Sequence, residues 1–411
     1  VSSRRCSFCK APLERTFVDL GMAPLVSSYV DPRARDASET FYPLHVYVCD
    51  SCLLVQLPQS ASPEELFGEY PYFSSVSESW LRHAERYTEG VTKRYGLGPG
   101  SRVVEIASND GYLLQYFRRR GIPVLGVEPA RNVARAAQQA GIPTEVAFFG
   151  SETARRLRES GVEATLLVGN NVLAHVPDID DFVAGLRILL GERGVATLEF
   201  PHLLRLIDEN QFDTIFHEHF SYLSLLVVER VFAHHGLTLF DVEELPTHGG
   251  SLRIHARHAA FEVEPVSGRV AELLARERAA GLDRPSDYGA FERKVHRAKR
   301  RLLELLVRIK AEGKSIAGYG APGKGCVLLN YCGIRSDFLD YTVDRSPHKQ
   351  GWLMPGVRIP IHPPDRVART RPDYLLILPW NLREEVVEQM AFIRQWGGRF
   401  IVPIPEARIV E

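Results

Sequence analysis

Residues 102–128, RVVEIASNDGYLLQYFRRRGIPVLGVE, constrain the fold of this chain more than any other stretch. Val103, Val104 and Ile106 form a short β-branched run of the kind that makes a buried parallel strand. Ser108, Asn109, Asp110 and Gly111 follow as a polar turn, residues 112–120 have helical spacing, and Gly121 ends that helix. Residues 124–127 read as a second buried strand, closed by Glu128. Strand, glycine turn, helix, strand and acid make the nucleotide-binding half of a doubly wound α/β sheet. The glycine lets a ligand reach the backbone, and N–H groups at the helix start attract negative charge. The acid can accept hydrogen bonds from both hydroxyls of a ribose.

The theme returns near the C-terminus. Residues 315–323, SIAGYGAPG, are strand then glycine turn, 324–331 are helical, and a strand over 338–343 ends on Asp344. Gly318, Gly320 and Gly323 spell G-x-G-x-x-G with an acid about 20 residues on, the pattern of an NAD site. The first turn lacks that pattern. Its Glu105, Asp110 and Gly111 give E-x-x-x-x-D-G, which resembles the turn of class I S-adenosylmethionine (SAM) methyltransferases. An α/β crossover with no ligand shares the outline of this first turn.

A chain of 411 residues has room for two or three domains. The net charge of −1 gives no reason to expect nucleic-acid or membrane binding, and no apolar run approaches a membrane span. The opening residues, VSSRRCSFCK, hold no apolar signal core, so a soluble, cytoplasmic protein is expected. No coiled-coil heptads demand a partner, and a monomer is expected.

Cys6-x-x-Cys9 and Cys49-x-x-Cys52 are two knuckles able to set four thiolates tetrahedrally around one zinc ion. Four cysteines leave no open position for a substrate, so such a zinc is structural. The gap between the knuckles is long, and residues 26–40 read as an inserted loop before a strand-like run over 44–49.

Three further runs carry chemistry. Residues 166–175, LLVGNNVLAH, read as a central strand running into a polar loop. Ligands of a doubly wound sheet sit beyond the carboxyl ends of its strands, which puts Asn170, Asn171 and His175 near the Gly111 turn. Residues 195–201 are the next strand, with Glu199 near its end. Residues 212–224, FDTIFHEHFSYLS, set His217, Glu218 and His219 in an apolar, aromatic run. The helical pairing H-E-x-x-H is absent; if extended, His217 and His219 share one face. A histidine in a partly apolar cleft suits proton transfer near neutral pH, and a neighbouring carboxylate orients it. A satisfied polar network is the plain alternative. Residues 69–80, EYPYFSSVSESW, are either a packed linker or a wall over a polar ligand.

Taken together, the knuckles, EIASNDGYLL, GNNVLAHV, TIFHEHFSYLS, GYGA-x-x-KG and ILPWN resemble the SAM-dependent C-methyltransferases of deoxysugar and antibiotic biosynthesis. The resemblance spans nearly the whole chain. It implies a zinc-binding domain over 1–72 and a class I methyltransferase domain over 73–284. A Rossmann-like domain over 285–411 then helps bind a sugar nucleotide and holds no NAD. The implied substrate is a dTDP-4-keto-deoxysugar. A proton leaves the carbon beside the ketone, C3 or alternatively C5, and the enolate attacks the SAM methyl group.

By motif, the resemblance makes His219 the base and Glu218 its partner or a substrate ligand. It turns His175 and a tyrosine of the Tyr70/Tyr72 pair toward the sugar. It gives SAM to Glu105, Ser108, Asn109, Asp110, Gly111, Glu128, Pro129 and Asn170 or Asn171. Lys324, with Tyr319 in the same glycine turn, approaches the diphosphate. Two departures stand out. The family tyrosine before H-E-H is Phe216 here, with Tyr222 as the nearby phenol, and the common GYGAAAKG reads GYGAPGKG.

Overall fold

A computed structural model describes residues 4–68 and 73–410; Tyr70 and Tyr72 lie outside the described residues. Contacts divide the chain into two units. The first is Val1–Glu14, Val48–His202 and Phe220–Pro285; the second is Arg15–Tyr47, Leu203–His219 and Ser286–Glu411.

The first unit is built on a seven-stranded sheet. Counted along the chain, its strands are Val103–Ile106, Val124–Val127, Thr144–Glu145, Ala164–Asn170, Leu190–Pro201, Leu237–Leu245 and Ser251–His258. Their spatial order is 3-2-1-4-5-7-6. The first five run parallel, and the seventh is antiparallel to both of its neighbours. All four residues of Val103–Ile106 are buried, as its unbroken apolar run requires of a strand covered on both faces. Leu113, Phe117, Leu166 and Phe240 pack one of its faces into the core.

The second unit repeats the plan with six strands: Ile316–Tyr319, Thr342–Val343, Ile361–His362, Tyr374–Ile377, Arg399–Val402 and Arg408–Val410. Their order is 3-2-1-4-5-6, parallel except for the last. The long helix Ala290–Ala311 buries Phe291, Val295, Leu302 and Ile309 on one face and shows its basic face to solvent. Phe291 stacks on Phe17, from the segment between the cysteine knuckles, at 4.6 Å. Among the described residues no helix is long and apolar enough to cross a membrane.

Candidate active site

In the first unit, the strands Val103–Ile106, Ala164–Asn170 and Leu190–Pro201 end at one edge of the sheet, and the chain turns sharply there. Ala107, Asn109 and Gly111 have φ of 55°, 50° and 80°, and Asn171 has 54°. Gly111 is sterically required: a Cβ would stand 2.8 Å from Ile142 Cγ1 at a left-handed φ. This winding delays the helix, which runs Leu114–Arg119 rather than starting at Tyr112.

Glu128 is buried, with half-buried Pro129 next to it. Its carboxylate accepts from the N–H groups of Asn109 at 2.8 Å and Ala130 at 2.9 Å, which ties the glycine turn to the acid. Burial raises the Glu128 pKa against those two N–H groups. Glu105 sits in the strand behind. Burial first, then the charges of Glu128 and Asp110, hold its pKa well above the carboxylate range. Asp110 Oδ2 accepts from the N–H and hydroxyl of Ser75 at 3.1 and 2.5 Å, and Asn109 Oδ1 accepts from Ser74 N–H at 2.9 Å. Ser108 Oγ, Asp110 Oδ1, Asn171 Oδ1 and both amide atoms of Asn170 are buried with no hydrogen-bond partner. Asn170 is near enough to the Tyr112 phenol to affect its pKa, but without ordinary hydrogen-bond geometry. Orphans of this kind cost about 1–3 kcal/mol each unless a ligand or water satisfies them.

Beside Asn170, Glu199 is fully buried and bonds His83 Nε2 at 3.0 Å and Arg253 Nε at 2.8 Å. Burial works to raise its pKa, but the His83 bond and the Arg253 charge outweigh it and hold the group low. Trp80 stacks on His83 at 4.9 Å and faces Tyr112 at 6.1 Å, an aromatic wall along the glycine turn. His175 ends a short turn whose Ala174 carbonyl accepts from Phe220 N–H at 2.8 Å, which brings the Ser221–Tyr222 strand alongside. His83 and Arg253 carry no signal in the sequence, because each acquires its role from a partner remote in the chain, whereas Ser75 lies in the 69–80 run.

The knuckles also lie in the first unit. Cys6 Sγ is 3.5 Å from Cys52 Sγ, Cys9 Sγ is 3.4 Å from Cys49 Sγ, and all four lie within 4.8 Å of one another. Thiolates on one tetrahedral zinc stand about 3.8 Å apart, given Zn–S of about 2.3 Å. The two loops share a backbone: the Cys6 carbonyl accepts from Lys10 N–H at 3.1 Å and the Cys49 carbonyl from Leu53 N–H at 2.8 Å. Gln56 donates its amide N–H to Cys6 Sγ at 3.1 Å, the kind of outer support that steadies a metal thiolate. The gap between the knuckles is long because Arg15–Tyr47 leaves to pack in the second unit.

There, the H-E-H run is a turn and not a strand. His219 N–H donates to the Phe216 carbonyl at 2.8 Å, so the shared face that an extended run gives His217 and His219 does not form. His217 is buried beside the Pro43 carbonyl, 3.3 Å away, and burial lowers its pKa, which leaves it neutral. His219 is half-buried, and its Nδ1 lies 2.7 Å from the Thr214 carbonyl oxygen. Only a protonated Nδ1 can donate there, so Nε2 is the basic nitrogen. The Phe216 ring tilts against this imidazole at 4.0 Å. Buried Glu218 accepts from the Ser27 hydroxyl at 2.7 Å.

Ser27 comes from the stretch read in the sequence as an inserted loop. So does Tyr29, whose hydroxyl donates to the Ala321 carbonyl in the glycine turn at 2.7 Å. In that turn Asp344 accepts from Ala321 N–H at 2.7 Å and Ser346 N–H at 2.8 Å. Tyr319 is buried and donates to Gln389 Oε1 at 2.8 Å. Lys324 Nζ lies 4.8 Å from the Trp380 ring centre and 3.3 Å from Asn381 Oδ1.

Three family models match the chain: a putative zinc binding domain over 6–67, a methyltransferase domain over 80–242, and a C-methyltransferase C-terminal domain over 246–405. The chain is 40% identical over 393 residues to C-methyltransferase NovU of Streptomyces niveus, covering 96% of this chain and 93% of that protein. The chain belongs to this C-methyltransferase family. Among solved structures, it is similar at 15% identity to the magnesium protoporphyrin IX methyltransferase of Synechocystis with bound SAH, over 43% of this chain and 82% of that one, with a TM-score of 0.35. A SAM-dependent methyltransferase from Anabaena variabilis is similar at 16% identity, over 44% and 86%, with a TM-score of 0.35.

As a SAM-dependent C-methyltransferase with a zinc-binding domain, the chain needs places for both groups, and the residues fit them. SAM carries an ammonium and a sulfonium. At the glycine turn Glu105, Asp110 and Glu128 repel one another, a strain that a cation relieves, and Asp110 Oδ1 and Asn170 offer unused polar atoms. The four clustered thiols have the donor type and spacing of a closed zinc site.

Proposed function

We propose that this C-methyltransferase acts on a dTDP-4-keto-deoxysugar and methylates the ring carbon beside the ketone, C3, with C5 the second position. The observation that carries this reading is the imidazole of His219, held through Nδ1 by the Thr214 carbonyl so that Nε2 is the base. The ketone acidifies its neighbouring C–H, so one oriented imidazole suffices, and general-base catalysis contributes about 100- to 10,000-fold. Glu218, steadied by Ser27, orients the sugar or the base. Tyr222 offers a hydrogen bond to the developing oxyanion, the task of the phenol that Phe216 lacks, and His175 faces the sugar. The resemblance adds Tyr70 or Tyr72, which lie outside the described residues, to the groups that meet the sugar.

Bound SAM supplies the electrophilic methyl group. Glu128 accepts from the ribose, while Glu105, Ser108, Asn109, Asp110, Gly111, Pro129, Asn170 and Asn171 form the rest of its cradle. Lys324 meets the diphosphate, and Tyr319 shapes the turn that presents it. In this reading the G-x-G-x-x-G turn holds no NAD. The division 1–72, 73–284 and 285–411 follows the tasks: metal, methyl donor, sugar nucleotide. The name of NovU supports carbon as the acceptor.

The test is incubation with SAM and a dTDP-4-keto-deoxysugar, read by mass and carbon NMR. One added methylene unit on the ring carbon next to the ketone is expected. Methyl on oxygen, or no transfer, overturns the proposal.

A further inference from the structure

Asp213 has no part in the proton abstraction above, yet it sits among the residues that carry it. It lies in the short turn Phe212–Thr214 and is fully buried. Its Oδ2 accepts from the Trp380 indole N–H at 2.7 Å. Its Oδ1 is buried with no hydrogen-bond partner. An unanswered carboxylate oxygen inside a protein is costly, and persists where a cation or a proton offsets it. Lys324, in the first turn of the helix Gly323–Cys332, is that cation, packed over the ring of the same Trp380. Each group acts on the other. Burial raises the Asp213 pKa to about 7, and the Lys324 charge and the Trp380 bond restrain the rise. Burial lowers the Lys324 pKa, and Asp213 opposes it. Cys332, at the far end of the same helix, also feels the Asp213 charge. The residue after Asp213 is Thr214, whose carbonyl orients His219.

We propose that Asp213 is a positioning residue that keeps Lys324 charged in the free protein and takes up a proton when a diphosphate binds Lys324. This rests on the reading that the second unit binds a sugar nucleotide. The physical cause is competition for one cation. A diphosphate against Lys324 adds negative charge near a buried carboxylate, and two like charges in a low-dielectric setting do not both stay ionised. A proton on Asp213 relieves the conflict. The neutral carboxyl still accepts the Trp380 N–H through its carbonyl oxygen, so Trp380 stays in place and the Phe212–Thr214 turn does not shift beneath His219. Since binding takes up a proton, affinity falls as pH rises through neutrality.

The test is calorimetric titration of the zinc-loaded full chain with dTDP-glucose, whose diphosphate has no ionisation of its own near neutrality. Titrations in two buffers of unlike protonation heat give the protons exchanged. The wild-type chain is expected to take up a fraction of one proton per site near neutral pH and to lose up to about tenfold in affinity per pH unit above it. Asp213→Asn should bind with no uptake and a flat pH dependence. Lys324→Met should bind about 10- to 100-fold more weakly, also without uptake, because Asp213 is then protonated beforehand. Wild-type binding without proton exchange overturns the inference, as does uptake retained in Asp213→Asn. If the Asn chain does not fold, the wild-type pH series and Lys324→Met decide the matter. No binding of dTDP-glucose by the wild type instead overturns the sugar-nucleotide reading itself.

Discussion

His219 Nδ1 lies 2.7 Å from the carbonyl oxygen of Thr214, five residues earlier in the same loop. A backbone acceptor does not titrate, so it holds the neutral imidazole in one tautomer. Replacing His219 with Asn removes the imidazole proposed as the base and changes no residue of the first unit. Single-turnover methyl transfer should fall about 100- to 10,000-fold. SAM affinity, measured by calorimetry, should stay within error of the wild type.

Ser27→Ala takes the 2.7 Å hydroxyl donor from Glu218. One such bond is worth about 1 kcal/mol, so kcat should drop about 5-fold with little change in thermal stability. Ser27→Thr keeps the hydroxyl and should recover most of the rate.

Glu199 answers His83 and Arg253 at once, and Gln in its place leaves the buried guanidinium with Glu243 as its one remaining carboxylate partner among the described residues. Urea unfolding should show a loss of about 1–3 kcal/mol. The folded-state pKa of Glu199 lies below the ordinary carboxylate value. Its contribution is therefore present above the unfolded-state pKa and is lost as pH falls through the folded one. The stability gap between wild type and Glu199→Gln should narrow in acid.

One zinc per chain is expected by elemental analysis, and none in Cys49→Ser. Metal binding to four such thiolates is worth on the order of 10 kcal/mol, so chelation should unfold the knuckles. The metal also ties together the ends of the stretch that carries Ser27 and Tyr29 into the second unit. Binding of dTDP-glucose should consequently suffer more from chelation than binding of SAM, which two titrations can compare.

Much of the architecture is legible in the chain because its cause is local. Val103–Ile106 declares itself through an unbroken apolar run, Gly111 through a turn that admits no Cβ, and the cysteines through a spacing that is itself the chemistry. The H-E-H run is not legible in the same way. Its conformation comes from one hydrogen bond, His219 N–H to Phe216, which no periodicity announces. Partners remote in the chain are harder still. Ser27 meets Glu218 across 191 positions, Asp213 meets Trp380 across 167, and His83 meets Glu199 across 116. Trp380 could be quoted as part of a motif, but its indole N–H shows a purpose only when the Asp213 carboxylate stands against it.

In the proposed reaction His219 removes a proton from carbon before any methyl moves. Solvent-deuterium exchange into a dTDP-4-keto-deoxysugar, followed by NMR without SAM, isolates that step. The wild-type chain is expected to wash deuterium into the position beside the ketone, and His219→Asn to lose that exchange. Equal exchange by the two proteins would contradict the assignment of the base.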